Sequence, residues 1–221
     1  MTKRYHLDPK TYSIHRLKKD LQSRVLIPSR KPLKDGIVGK FEILEAAGNK
    51  TLQDLIDSFK NKKKLAALAS STGIDVNYLN LLRREANSYL PNPVPLEKFS
   101  MVDSDDLTRL GDLGIKNSRH LFEYLENEGD LQALFHETEI PTEILSELLG
   151  LSDLVRAYGV GPAFARILYD TGIHSIAQLK QFSPQQVVDL YESQTRKKAD
   201  FSVSDIQFSL DIIKALDLGD Q

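Results

Sequence analysis

The chain has 221 residues, 41% hydrophobic and 27% charged, with no cysteine and a net charge of −2. That composition suits one large or two small globular domains. It excludes disulfides, thiolate metal sites and a cysteine nucleophile, and no apolar run approaches the ~18 residues of a membrane span. "MTKRYHLDPK" lacks the apolar core of a secretory signal, so a cytoplasmic setting without a membrane partner is expected.

In chain order, residues 1–32 read as an N-terminal helical arm. Its helix "SIHRLKKDLQSRVL" places Ile14, Leu17, Leu21 and Val25 on one face and stops at Pro28. Residues 33–90 form a first helical unit. Pro91, Pro93 and Pro95 then make 91–95 a stiff connector that no regular helix can cross. A second unit spans 96–150, with a helix opening near Pro141. A third spans 151–221, with Ser183 and Pro184 as cap and first-turn residue and an insertion, "SQTRKKADFS", before the last helix. No segment alternates polar and apolar residues as a strand would. The expected fold is all-α.

The units repeat. A shift of 66 residues lays Leu44 on Leu110, Gly48 on Gly114, Leu55 on Leu121, Ile74 on Ile140, Leu79 on Leu145 and Leu82 on Leu148. A further shift of 58 lays Leu110 on Leu168, Gly114 on Gly172 and Leu121 on Leu179. The shared signal is a helix ending on an inward Leu, a glycine just past its end, a polar cap such as Ser118 or Ser175, and a second helix. Units this small are expected to share cores.

Charge follows the units. Residues 1–64 carry 16 Lys and Arg against 7 Asp and Glu, whereas 103–147 carry 3 against 12. Such asymmetry suggests surfaces with different partners.

"LVRAYGVGPAFARILYDTGIHSIAQL" resembles the helix-hairpin-helix motif, with Gly159 and Gly161 in the turn and Ala165 and Leu168 on the following helix. "TGIHSIAQL" also resembles the C-terminal domain of the bacterial RNA polymerase alpha subunit. Over most of its length the chain resembles an uncharacterised bacterial family of helix-hairpin-helix repeats, catalogued as a domain of unknown function. The resemblance implies three tandem helix-hairpin-helix-like units. It also implies that the amides of Gly159, Val160 and Gly161, with Arg156 and Arg166 nearby, hold a backbone phosphate. Ala163 stands where such motifs usually carry Lys or Arg. In the second unit Asp103, Asp105 and Asp106 would repel phosphate, so that copy reads as structural. The first unit offers "PLKDGIVGKFEIL", with Lys34, Gly36, Gly39 and Lys40.

A second candidate is the run Lys60, Lys62, Lys63 and Lys64, with Arg83 and Arg84 at a helix end. These could track a phosphate backbone. The second unit has "ENEGDLQAL" in place of the lysines, so the repeat does not require them. Arg196, Lys197 and Lys198 make a basic loop. Tyr158 is a possible exposed contact, while Tyr78, Phe122, Tyr124, Phe164 and Tyr169 read as core or near-core. The five histidines lack ligand spacing, and no nucleophile-elbow, P-loop, kinase or deaminase signature is present. The expectation is a non-catalytic protein without metal or cofactor. It binds DNA backbone, RNA being the other nucleic-acid candidate, or else serves as a protein-interaction adaptor whose acidic second unit meets a basic partner.

Overall fold

The structure, a computed structural model, describes residues 4–26, 28–99, 102–127 and 130–217. It is all-helical; the β-type pairings among the described residues are the isolated bridges Ser13–Thr51 and Pro95–Asn117. No helix there is long and apolar enough to cross a membrane. The chain divides into two compact units: Leu7–Leu90, and Met1–His6 together with Pro91–Gln221. The first carries 16 Lys and Arg against 9 Asp and Glu, a net +7; the second carries 13 against 22, a net −9.

The Leu7–Leu90 unit holds α1 (Ile14–Ser23), a 3-10 helix (Pro28–Lys34), α2 (Ile37–Ala46), α3 (Leu52–Ser58), α4 (Lys62–Thr72) and α5 (Val76–Ser88). Ser13 caps α1 by accepting from the Arg16 amide, and Ile14, Leu17 and Leu21 are buried as their spacing requires. Val25 departs from that face. The helix stops at Ser23, and Arg24 is extended at φ −89°, ψ 158°. Side chains then alternate, so Arg24 and Leu26 turn inward and Val25 is 65% exposed. Thr51 and Asp54 form a reciprocal capping box on α3. The hydrogen bonds from Thr51 hold the Asp54 carboxyl below its usual range.

The other unit holds a short 3-10 helix (Leu96–Lys98), then α6 (Ser104–Asp112), α7 (Ser118–Asn127), α8 (Leu131–Thr138), α9 (Thr142–Leu154), α10 (Pro162–Asp170), α11 (Ile176–Leu179), α12 (Pro184–Thr195) and α13 (Val203–Asp217). Its apolar core runs from Leu96 through Leu110, Leu121, Leu145, Leu148, Leu168 and Leu179 to Ile213.

The Leu–Gly spacing produces the same turn three times. Gly48, Gly114 and Gly172 have φ of +93°, +79° and +90°, which a side chain would resist. The next amide reaches back five residues each time: Asn49 to Leu44, Ile115 to Leu110 and Ile173 to Leu168, at 3.0, 2.9 and 3.0 Å. The following helix is capped by Thr51, Asn117 and Ser175 in turn. Asn117, not Ser118, caps α7, because Ser118 is buried and its hydroxyl accepts from the Val94 amide. An extended segment braces the first two turns. The Leu52 amide donates to Tyr12 and the Ser118 amide to Val94. In the third turn the Asp153 carboxylate takes that place, accepting from the Ile176 amide.

The 66-residue register also equates Gly73 with Glu139. Both end a helix in the left-handed region, at φ +68° and +57°. Glycine does this without strain and glutamate does not. Glu139 is exposed, so Glu139→Gly should raise stability by about 0.5–1 kcal/mol in urea unfolding, and Gly73→Ala should lower it by about 1. A neutral or destabilising Glu139→Gly would refute the strain.

Candidate nucleic-acid interface

The turn between α9 and α10 comes from Gly159 at φ +78°, followed by Gly161, which is extended and stands at the N-cap of α10 ahead of Pro162. Both glycines are exposed, and a Cβ at either would meet open space. Val160 differs. It is buried, and its amide donates to the Ala157 carbonyl at 3.1 Å, so that amide is taken up inside the fold rather than presented to a phosphate. Tyr158 is half-buried, its ring edge-on to Phe208 at 4.8 Å and its carbonyl accepting from Ser209.

The cations beside this turn are engaged. Arg156 is 5% exposed. Its guanidinium pairs with Asp153, donates to the carbonyls of Tyr5 and Arg4 at 2.9 Å each, and lies over the Phe122 ring at 4.0 Å. Arg166 bridges Glu147 and Asp170 and lies over Tyr169. Burial works against its charge, but the hydrogen bonds it donates to Asp170 and Glu147 outweigh it and raise the pKa. Both arginines therefore serve the fold where they stand.

The first unit's glycine stretch is exposed at Lys34, Gly36 and Gly39, but its lysines are engaged within the fold. Gly39 lies inside α2. The Lys40 ammonium sits 3.8 Å from the centre of the Tyr78 ring and donates to the Asp35 carbonyl, and Lys34 donates to the Gln22 carbonyl. Asp103 caps α6, and burial, reinforced by the Asp103 charge, raises the Asp106 pKa.

The lysine run is placed differently. Asn61 caps α4, and Lys62, Lys63 and Lys64 form its first turn, all exposed. Positive charge there opposes the helix dipole, so the lysines are not placed to stabilise the helix end. Lys64 donates to the Asp57 carbonyl at 3.2 Å. Arg83 is half-exposed and Arg84 exposed on α5 of the same unit. Among the described residues, Lys60, Lys62, Lys63, Arg83 and Arg84 take part in no ion pair. Arg196, in the left-handed region at φ +54°, leads the exposed loop that continues with Lys197 and Lys198. Among the described residues no group of three or more His, Asp or Glu could hold a metal ion.

Residues 101–207 match the model of a family described as a domain of unknown function, DUF4332. The DUF4332 stretch covers α6 to α12 and the start of α13. The lysine run and Arg83–Arg84 lie outside it. Searches of curated proteins and of solved structures returned no match.

Proposed function

We propose that the protein is a non-catalytic binder of nucleic-acid backbone, DNA in the first instance, that reads no sequence. In this reading its helices form tandem helix-hairpin-helix-like units. The grip comes from Lys60, Lys62, Lys63, Lys64, Arg83 and Arg84 rather than from the arginines beside Gly159–Gly161. One observation carries the reading: a unit of net +7 keeps all six of these cations exposed or half-exposed and, among the described residues, out of ion pairs, while Arg156 and Arg166 are consumed internally. Unneutralised Lys and Arg release counterions when they meet phosphate, which supplies affinity without sequence preference. The glycine turn is a helix connector whose Gly159 and Gly161 edges add at most a secondary contact.

The test is fluorescence anisotropy of labelled single-stranded DNA, duplex DNA and RNA across a salt series. Binding should be micromolar, with log K falling by about 0.9 per tenfold rise in salt for each phosphate neutralised on duplex. Lys62→Glu/Lys63→Glu/Lys64→Glu should weaken it at least tenfold. The fold is safe in that variant, because acidic residues suit a helix N-terminus better than lysines do. Gly161→Ala should stay within twofold of the parent. No binding at low salt, or full binding by the triple variant, would sink the proposal. The second reading, an adaptor that meets a basic partner, draws on the net −9 of the unit containing the DUF4332 stretch.

A further inference from the structure

A short non-helical segment, Arg4–His6, bends at Tyr5 and His6 and is docked into the unit formed by residues 91–217 although it is remote from it in sequence. Tyr5 is 4% exposed. Its hydroxyl and that of Ser118 are 2.6 Å apart, and Ser118 also accepts from the Val94 amide at 2.9 Å. Its ring stands edge-on to Phe122 at 5.8 Å. Arg156 grips the backbone through the carbonyls of Arg4 and Tyr5. A pocket for one aromatic side chain beside a donor aligned on two consecutive carbonyls combines the two elements of peptide recognition, a side-chain pocket for specificity and main-chain hydrogen bonds for affinity. Ser118, Phe122 and Arg156 all fall within the DUF4332 stretch, and the segment that fills the socket does not.

The socket has a neighbour. A cleft of about 770 Å³ shares Phe122 and Arg156 with it and continues along Leu125, Leu131, Leu149 and Gly150. Those apolar walls lie beyond the residues that touch Tyr5 and would receive the flanking side chains of a longer ligand.

We propose that the Ser118–Phe122–Arg156 socket is a peptide-docking site for a non-helical, tyrosine-bearing segment of a partner protein, held in cis by Arg4–Tyr5–His6. The partner's chemistry is set by the cis occupant: a tyrosine with its own carbonyl and the preceding one presented to Arg156. This is independent of nucleic-acid binding, whose residues lie in the other unit.

The test uses a fluorescein-labelled peptide of residues 1–7 and the chain lacking residues 1–6. The peptide should bind saturably, one to one. A tyrosine-to-alanine peptide should bind at least tenfold more weakly. The full-length chain should bind at least tenfold more weakly too, because its own segment competes. Full-length Tyr5→Ala is a second host should the shortened chain be unstable, and the peptide should raise the melting temperature of both. Absence of saturable binding, equal binding by the alanine peptide, equal binding by the full-length chain, or failure of the peptide to raise either melting temperature would overturn the proposal.

Discussion

Glu85→Ala should destabilise the Leu7–Leu90 unit by about 3–5 kcal/mol, the usual loss when one partner of a buried ion pair is removed. Glu85 is 1% exposed on α5. One carboxylate oxygen pairs with Arg24, which is itself buried just past α1, and the other lies 3.6 Å from Arg30 in the 3-10 helix. Arg30 also donates to the Leu81 carbonyl at 3.3 Å. A single carboxylate thus ties three segments together. Its removal takes a carboxylate partner from the Arg24 charge, which is held away from water, and desolvation then weighs more heavily on it. The loss should register by hydrogen exchange as faster exchange in α1 and α5. Pairing Glu85→Ala with Arg24→Met should recover a large part of it, since removing both charges can be close to neutral. A loss below about 1 kcal/mol in the single variant, or no recovery in the double, would contradict this account.

Glu85 shows why part of the molecule is hidden from a reading of its sequence. In "LLRREANSYL" it follows two arginines and looks like one more surface charge. Its partner stands 61 residues away, and no local period reports a pair at that separation. The same holds for Arg156, which reads as a cation beside a glycine turn but meets Tyr5 across 151 residues. Tyr5 in turn sits in a stretch that shows no pattern of its own. What is legible is what repeats. The Leu44, Leu110 and Leu168 positions and their glycines recur at fixed spacing because helix ends obey local geometry, and all three leucines are buried. Even the 66-residue register survives in detail, with α5 and α9 each 13 residues long at matched positions. The misplaced Val25 marks the boundary between the two kinds of information. Helical periodicity holds only while the helix lasts, and the end of α1 at Ser23 is set by the inward turn of Arg24 toward Glu85.

Gly150→Ala should cost the second unit about 3 kcal/mol, near the top of the range for overpacking a tight core. In the 66-residue register Gly150 on α9 corresponds to Arg84 on α5, which is exposed. Gly150 is buried because the third repeat closes on it. A methyl there would stand 2.6 Å from Cε2 of Tyr169 and 2.8 Å from the His174 carbonyl oxygen. The carbonyl belongs to the turn after α10 and has no rotamer to escape into. The Tyr169 ring is held as well, stacked on His174 at 4.2 Å and covered by Arg166 at 5.0 Å. Relief therefore requires α9 to draw away from α10 and the His174 turn, opening the contacts that bury Leu168 and Ile173. On a unit of this size the melting temperature should fall by roughly 10 °C. Tyr169→Ala added to Gly150→Ala should restore part of the loss and no more, because the His174 carbonyl still blocks the methyl. A Gly150→Ala chain melting within 2 °C of the parent would mean that the two helices are not held at the spacing described. Full restoration by Tyr169→Ala would mean that the ring alone, and not the turn, fixes that spacing.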